Sequence, residues 1–170
     1  MKDESDEGAG DTDWDDLDQK AEDAVGAVSS DAAALVALLA KNDENMQYFK
    51  HATLALTNFE PKDDAFMAAV KDNGGVAGLL DGLAWTNEQT AAKKYPIYFY
   101  ETRMFNGINT CNELLDKGLE LSDDEKARFK AACSKALAWG SMKNDADDSG
   151  MGECLGIIEL CKETVLPKLG

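Results

Sequence analysis

The chain has 170 residues, enough for one domain with a real core, and 44% are hydrophobic against 29% charged, the proportions of a globular protein. Asp and Glu number 33 against 17 Lys and Arg, a formal net charge of −16. That balance repels phosphates and anionic lipid, so it argues against nucleic acid and acidic membrane surfaces and for a partner with a basic face.

The acidity is concentrated at the start. Nine Asp or Glu and no Lys or Arg fall between Asp3 and Asp18, with Gly8 and Gly10 among them. Such a block cannot bury enough apolar surface to order itself. Residues 1–13 therefore read as an acidic flexible tail and 14–170 as a single helical-bundle domain. Met1-Lys2 leads straight into acid, unlike a signal or transit peptide. Either the protein works where it is made, or a presequence has been removed. The longest apolar run, Ala32 to Ala40, is about half the length of a membrane span.

The first helical pattern covers Trp14 to Lys41, with Trp14, Ala21, Val28 and Leu35 in one heptad row. Gly26 and Ser29-Ser30-Asp31 weaken its middle, which allows two shorter helices, the second capped by Ser30. A segment opening at Asn42-Asp43 follows. It presents Met46, Phe49, Thr53, Leu56 and Phe59 on one face and ends at Pro61. A short helix from Asp63 to Lys71 carries Phe66 and Val70, and Asn73-Gly74-Gly75 reads as its left-handed cap. Val76 to Trp85 is apolar but interrupted by Gly78 and Gly82, so it reads as a packed turn or short helix. Thr86-Asn-Glu-Gln89 has the spacing of a capping box.

From Tyr95 to Leu166 the pattern is clearest. The first helix carries Ile97, Met104, Ile108, Cys111 and Leu115 on one face and ends at Gly118. If it continues from the Thr86 segment, Pro96 kinks it. Ser122-Asp-Asp-Glu125 is a second capping box. It opens a helix with Phe129, Cys133, Ala136 and Leu137 in line, closed by Gly140. In the last helix Met151, Cys154, Ile158, Cys161 and Val165 alternate steps of three and four, the period of a helix with one buried face. Ile158, at the centre of that stripe, is expected to be fully buried.

The chemistry is sparse. No catalytic, cofactor-binding or metal-ligating set emerges, and the chain does not read as an enzyme. Cys111, Cys133, Cys154 and Cys161 contain no CxxC pair, and each falls on the apolar stripe of its helix. Reduced core thiols are one reading. An interhelical disulfide involving Cys133, which has neighbours on two helices, is the other. His51 is the only histidine, too few for a di-iron site, and reads as solvent-facing or capping. Asp145, Asp147 and Ser149 with Gly150 begin like a calcium loop, but Gly156 stands where its closing Glu belongs. Tyr95, Tyr98, Phe99 and Tyr100 cluster around Pro96. They are either a covered helix start or an exposed partner contact.

The stretch after Lys93 resembles the PsbQ family, the extrinsic lumenal subunits of photosystem II. The residues that carry the resemblance are Lys93-Lys94-Tyr95-Pro96 before a long helix, the polar acidic turn Ser122 to Lys126, and the ending Val165-Leu-Pro-Lys-Leu-Gly170. The resemblance implies an all-α, up-down four-helix bundle, here with extra N-terminal helical segments. It implies a non-catalytic subunit in the chloroplast thylakoid lumen that binds protein subunits of a photosynthetic membrane complex. Such a subunit supports the calcium and chloride requirement of water oxidation without ligating the manganese cluster. Four cysteines, strong acidity and the added N-terminal helices depart from the family pattern. The other expectation is a small acidic helical binding or scaffold protein, cytoplasmic, that recognises a basic protein partner.

Overall fold

The computed structural model describes residues 5–39, 46–92, 97–140 and 155–169, and every regular element among them is helical. The chain is all-α. Its helices are α1 (Ser5–Ala27), α2 (Ala32–Leu39), α3 (Met46–Asn58), α4 (Asp64–Asp72), α5 (Gly75–Ala92), α6 (Ile97–Asp116) and α7 (Asp123–Gly140). A C-terminal helix follows, made of α8 (Leu155–Ile158), a π-helical stretch (Glu159–Val165) and α9 (Leu166–Leu169).

Local chemistry sets most of the boundaries. The Asp63 carboxylate accepts from the Phe66 amide at 3.0 Å and starts α4, while Gly74, at φ 77°, takes the left-handed turn that ends it. Gly118, at φ 101°, follows α6. Its amide donates to the Leu115 carbonyl, and the Leu119 amide donates to Leu114. This is the double closure of a Schellman motif, and Leu119 and Leu114, its apolar pair, are both buried. At the head of α7 the two halves of the capping box both form. Glu125 N donates to Ser122 Oγ at 3.1 Å, and Ser122 N donates to Glu125 Oε1 at 2.9 Å.

Five expectations are corrected. The backbone is already helical at Ser5, so the first helix starts well before Trp14 and takes in part of the stretch assigned to a flexible tail. The pattern from Trp14 to Lys41 splits into two helices, as Gly26 and Ser29-Ser30-Asp31 allow, but the cap of α2 is Asp31, not Ser30, since the Ala34 amide donates to Asp31 Oδ1. Val76 to Trp85 is neither a turn nor a short helix but the first part of a continuous α5. Thr86 lies inside that helix rather than at its start, and its hydroxyl donates back to the Gly82 carbonyl at 2.8 Å. Finally, Ile158 is only half-buried, while Ile157 is fully buried. From α8 through the π-helical stretch the buried row Ile157, Cys161, Val165 keeps a constant step of four. Counting back with the three-and-four alternation of an α-helix lands one residue too far along. Asn42-Asp43 and Pro96 lie outside the described residues.

The core is built around α6, which packs on α3, α5, α7 and the C-terminal helix. Helix α5 also packs on α7, and the C-terminal helix packs on both α6 and α7, so these four close a ring of contacts. On the far side of α6, helix α3 carries α1 and α2. Phe49 of α3, 1% exposed, sits where α5 and α6 approach. A Cβ added at Gly82 would fall 2.1 Å from its ring, and one at Gly107 would fall 2.9 Å from it. Gly82, which looks like a helix breaker, and Gly107 therefore make room for one aromatic ring. The α3–α6 seam is partly polar: Thr110 Oγ1 donates to the Thr53 carbonyl at 2.8 Å, and Asn106 Nδ2 donates to the Lys50 carbonyl at 3.2 Å. The Phe59 and Phe66 rings stack with centroids 4.7 Å apart, tying the end of α3 to α4 across the cis Glu60–Pro61 bond.

Candidate functional site

Among the described residues, cysteine side chains converge in the seam between α6, α7 and the C-terminal helix. Phe129, Cys133 and Ala136 of α7 are wholly buried against Ile157, Cys161 and Val165. Cys111 of α6 is 6% exposed in the same core. All three described cysteines are free thiols. The Cys133 and Cys161 thiols hydrogen-bond to each other. That bond, together with burial and the neighbouring Cys111, pushes the Cys133 thiol well above its ordinary value. Burial pushes the Cys111 thiol up to about 12. Such thiols stay protonated near neutral pH and are poor nucleophiles while the fold is closed. Cys154 lies outside the described residues. Two helical stripes, legible in the sequence, thus bring Cys133 and Cys161 together; Cys111 stands beside them.

Cys111 also borders a small cavity walled by Val76, Leu79, Leu80, Leu115, Leu119, Leu121 and Phe129. It encloses about 10 Å³, room for about one water and, with apolar walls, a dry space. Ligand sites measure about 300–1,000 Å³, so this cavity holds no pigment or substrate. Among the described residues, no three His, Cys, Asp or Glu side chains stand close enough to share a metal ion.

His51 is not a solvent-facing or capping residue. It is half-buried on α3, and its Nε2 lies 2.8 Å from Asp18 Oδ1 on α1; Lys50 Nζ reaches the same oxygen at 3.2 Å. Partial burial by itself would raise the Asp18 pKa, but the bonds from His51 and Lys50 outweigh it and hold the carboxyl below 3.8. Sequence reading missed this anchor, because Asp18 looked like one more residue of the acidic block. It also missed Asn87, whose Oδ1 accepts from Trp139 Nε1 at 2.8 Å and whose Nδ2 donates to the Ala132 carbonyl at 3.2 Å, joining α5 to α7. Lys168 bonds to Asn112 and Asp116 of α6 and ties down the last turn. On α6, partial burial raises the Glu101 pKa.

Tyr95, the side chains of Tyr98, Phe99 and Tyr100, and the acidic loop from Asp145 to Gly150 lie outside the described residues. Among the described residues no helix is long and apolar enough to cross a membrane. Comparison with protein-family models, curated proteins and solved structures finds no match.

Proposed function

We propose that the protein is a non-catalytic accessory subunit of a photosynthetic complex, similar to the PsbQ family, that docks on the thylakoid lumenal side and stabilises water oxidation. The observation that carries this reading is how the family-like segment is arranged. A long helix, α6, is followed by a capped acidic turn at Ser122, then α7, then a terminal helix that returns to α6 through Lys168. The terminal helix closes the segment back on α6, and acidic residues at the turn face outward: Glu120, Asp123 and Asp124 are all exposed. Docking through such a surface needs a basic face on the partner.

The test is rebinding to photosystem II membranes stripped of their extrinsic subunits by salt. The protein should sediment with the membranes at low salt and restore oxygen evolution at limiting calcium and chloride. A protein that stays in the supernatant, with no gain in oxygen evolution, overturns the reading.

The second reading is an acidic helical binding protein for a basic protein elsewhere in the cell, favoured by the net charge of −16. Deleting residues 2–13 separates the contributions. Charge-led docking weakens most at low salt, where charges about 10 Å or more apart still attract. Salt-insensitive binding that survives the deletion points to the aromatic stretch around Tyr98.

A further inference from the structure

We propose that Cys133 and Cys161 are a disulfide-forming pair that pins the C-terminal helix to α7, so that the stability of the fold responds to the redox state of its surroundings. The inference stands apart from the photosynthetic reading and holds in any compartment that supplies a disulfide oxidant.

The geometry selects this pair from the four cysteines. Cys133 and Cys161 sit on α7 and the π-helical stretch, two elements that pack directly on each other, and neither has exposed surface. Cys111 is the competitor, but α6 touches α7 less extensively than the C-terminal helix does. The backbone that carries Cys161 is the π-helical stretch, which packs on α7 and α6, and Cys161 falls in the wholly buried row between Ile157 of α8 and Val165. Next to the pair are Phe129 and Ala136 of α7, so the bridge would close inside a packed seam and be shielded from later reduction.

The chemistry balances with an external disulfide such as oxidised glutathione. One cysteine thiolate attacks a glutathione sulfur, forming a mixed disulfide and releasing one glutathione thiolate. The second cysteine thiolate then attacks the protein sulfur and releases the other. Two S–H bonds break and one S–S bond forms. The two protons leave to solvent or to the released glutathione, and the two electrons reduce the oxidant to two thiols. Because Cys133 is held as the thiol while the seam is closed, reaction proceeds through opening of the C-terminal helix, which the Lys168 contacts and its apolar row hold down. Reclosure then sets which sulfur meets which.

The experiment uses the full chain with oxidised glutathione in urea below the unfolding transition. Free thiols are alkylated after acid quenching, and the protein is digested and mapped by mass spectrometry. The expected product links Cys133 to Cys161, leaves Cys111 alkylated, and melts about 5–10 °C higher than the reduced form; dithiothreitol reverses both changes. The Cys111→Ala variant should keep the link and the gain. Cys161→Ser should lose both, and if that variant does not fold the wild-type peptide map still decides. Alkylation of Cys133 and Cys161 after prolonged oxidation, or a link from Cys133 to Cys111 or Cys154, overturns the proposal.

Discussion

Gly82→Ala pits helix propensity against packing, and the structure says packing wins. Alanine at a helix interior is favoured over glycine by about 1 kcal/mol. Yet the new methyl would fall 2.1, 2.5 and 2.6 Å from three ring atoms of Phe49, far inside carbon–carbon contact. The ring cannot back away freely, because α6 closes on it at Gly107, where a Cβ would stand only 2.9 Å from the ring. Phe49 is also 1% exposed. Overpacking a closed core typically destabilises by about 1–3 kcal/mol, and a contact this short belongs at the top of that range or above it. Net of propensity, Gly82→Ala should lose about 1–3 kcal/mol and lower the melting temperature by about 2–10 °C. Gly26→Ala is the control. It sits in α1 with nothing within 4 Å of its Cβ, so it should gain a few tenths to about 1 kcal/mol. Thermal and urea melts followed by circular dichroism measure both. Adding Phe49→Leu should recover part of the Gly82→Ala loss, a coupling readable in a double-mutant cycle. A Gly82→Ala protein that melts at or above the parent would refute the account of Phe49 as a ring held between two glycines.

Two further outcomes follow from the same packing and charge arguments. Ile157→Ala should destabilise by about 2–5 kcal/mol, and Ile158→Ala by clearly less. Equal losses at the two positions in urea melts would put the buried row where the α-helical alternation has it. The depressed Asp18 pKa means that its anchor to His51 and Lys50 stands whole above 3.8 and is lost as the pH falls through the lower folded value. Asp18 is about a third exposed, so the solvent-screened contribution is at most about 1 kcal/mol. Melts of the parent and Asp18→Asn at a series of pH values should differ at neutral pH and converge in acid. A gap that persists unchanged toward pH 2 would mean that the carboxylate charge is not what holds α1.

The helices that announce themselves do so by local chemistry, and that chemistry is legible in the sequence. Ser122 with Glu125, Asp63, Gly74 and Gly118 each act within a few residues of themselves, and all behave as their residue types dictate. What sequence reading lost was decided at long range. Gly82 looks like a breaker until Phe49, far away in the chain, needs its missing side chain. Thr86 and Asn87 look like a cap until one bonds back to Gly82 and the other finds Trp139. Asp18 disappears into its acidic neighbours until α3 presents Lys50 and His51 to it. The C-terminal register shifted because period counting assumes an α-helix, and no local residue signals a π turn. The cysteines were half legible: their stripes gave burial, while only packing shows which two meet.

The position of α6 sets an order in which the molecule comes apart. Every other part of the core leans on this helix directly or through one neighbour, whereas α1 leans mainly on α3 and the last helix is held along one side. Backbone amides of α6 can therefore exchange with solvent only when nearly everything opens. Those of α1 and the C-terminal helix can exchange through smaller, cheaper openings at either end of the chain. A partner that clasps one of these outer helices would close that route without touching the centre. Binding would then show as slowed exchange at the chain ends, far from the helix that holds the fold.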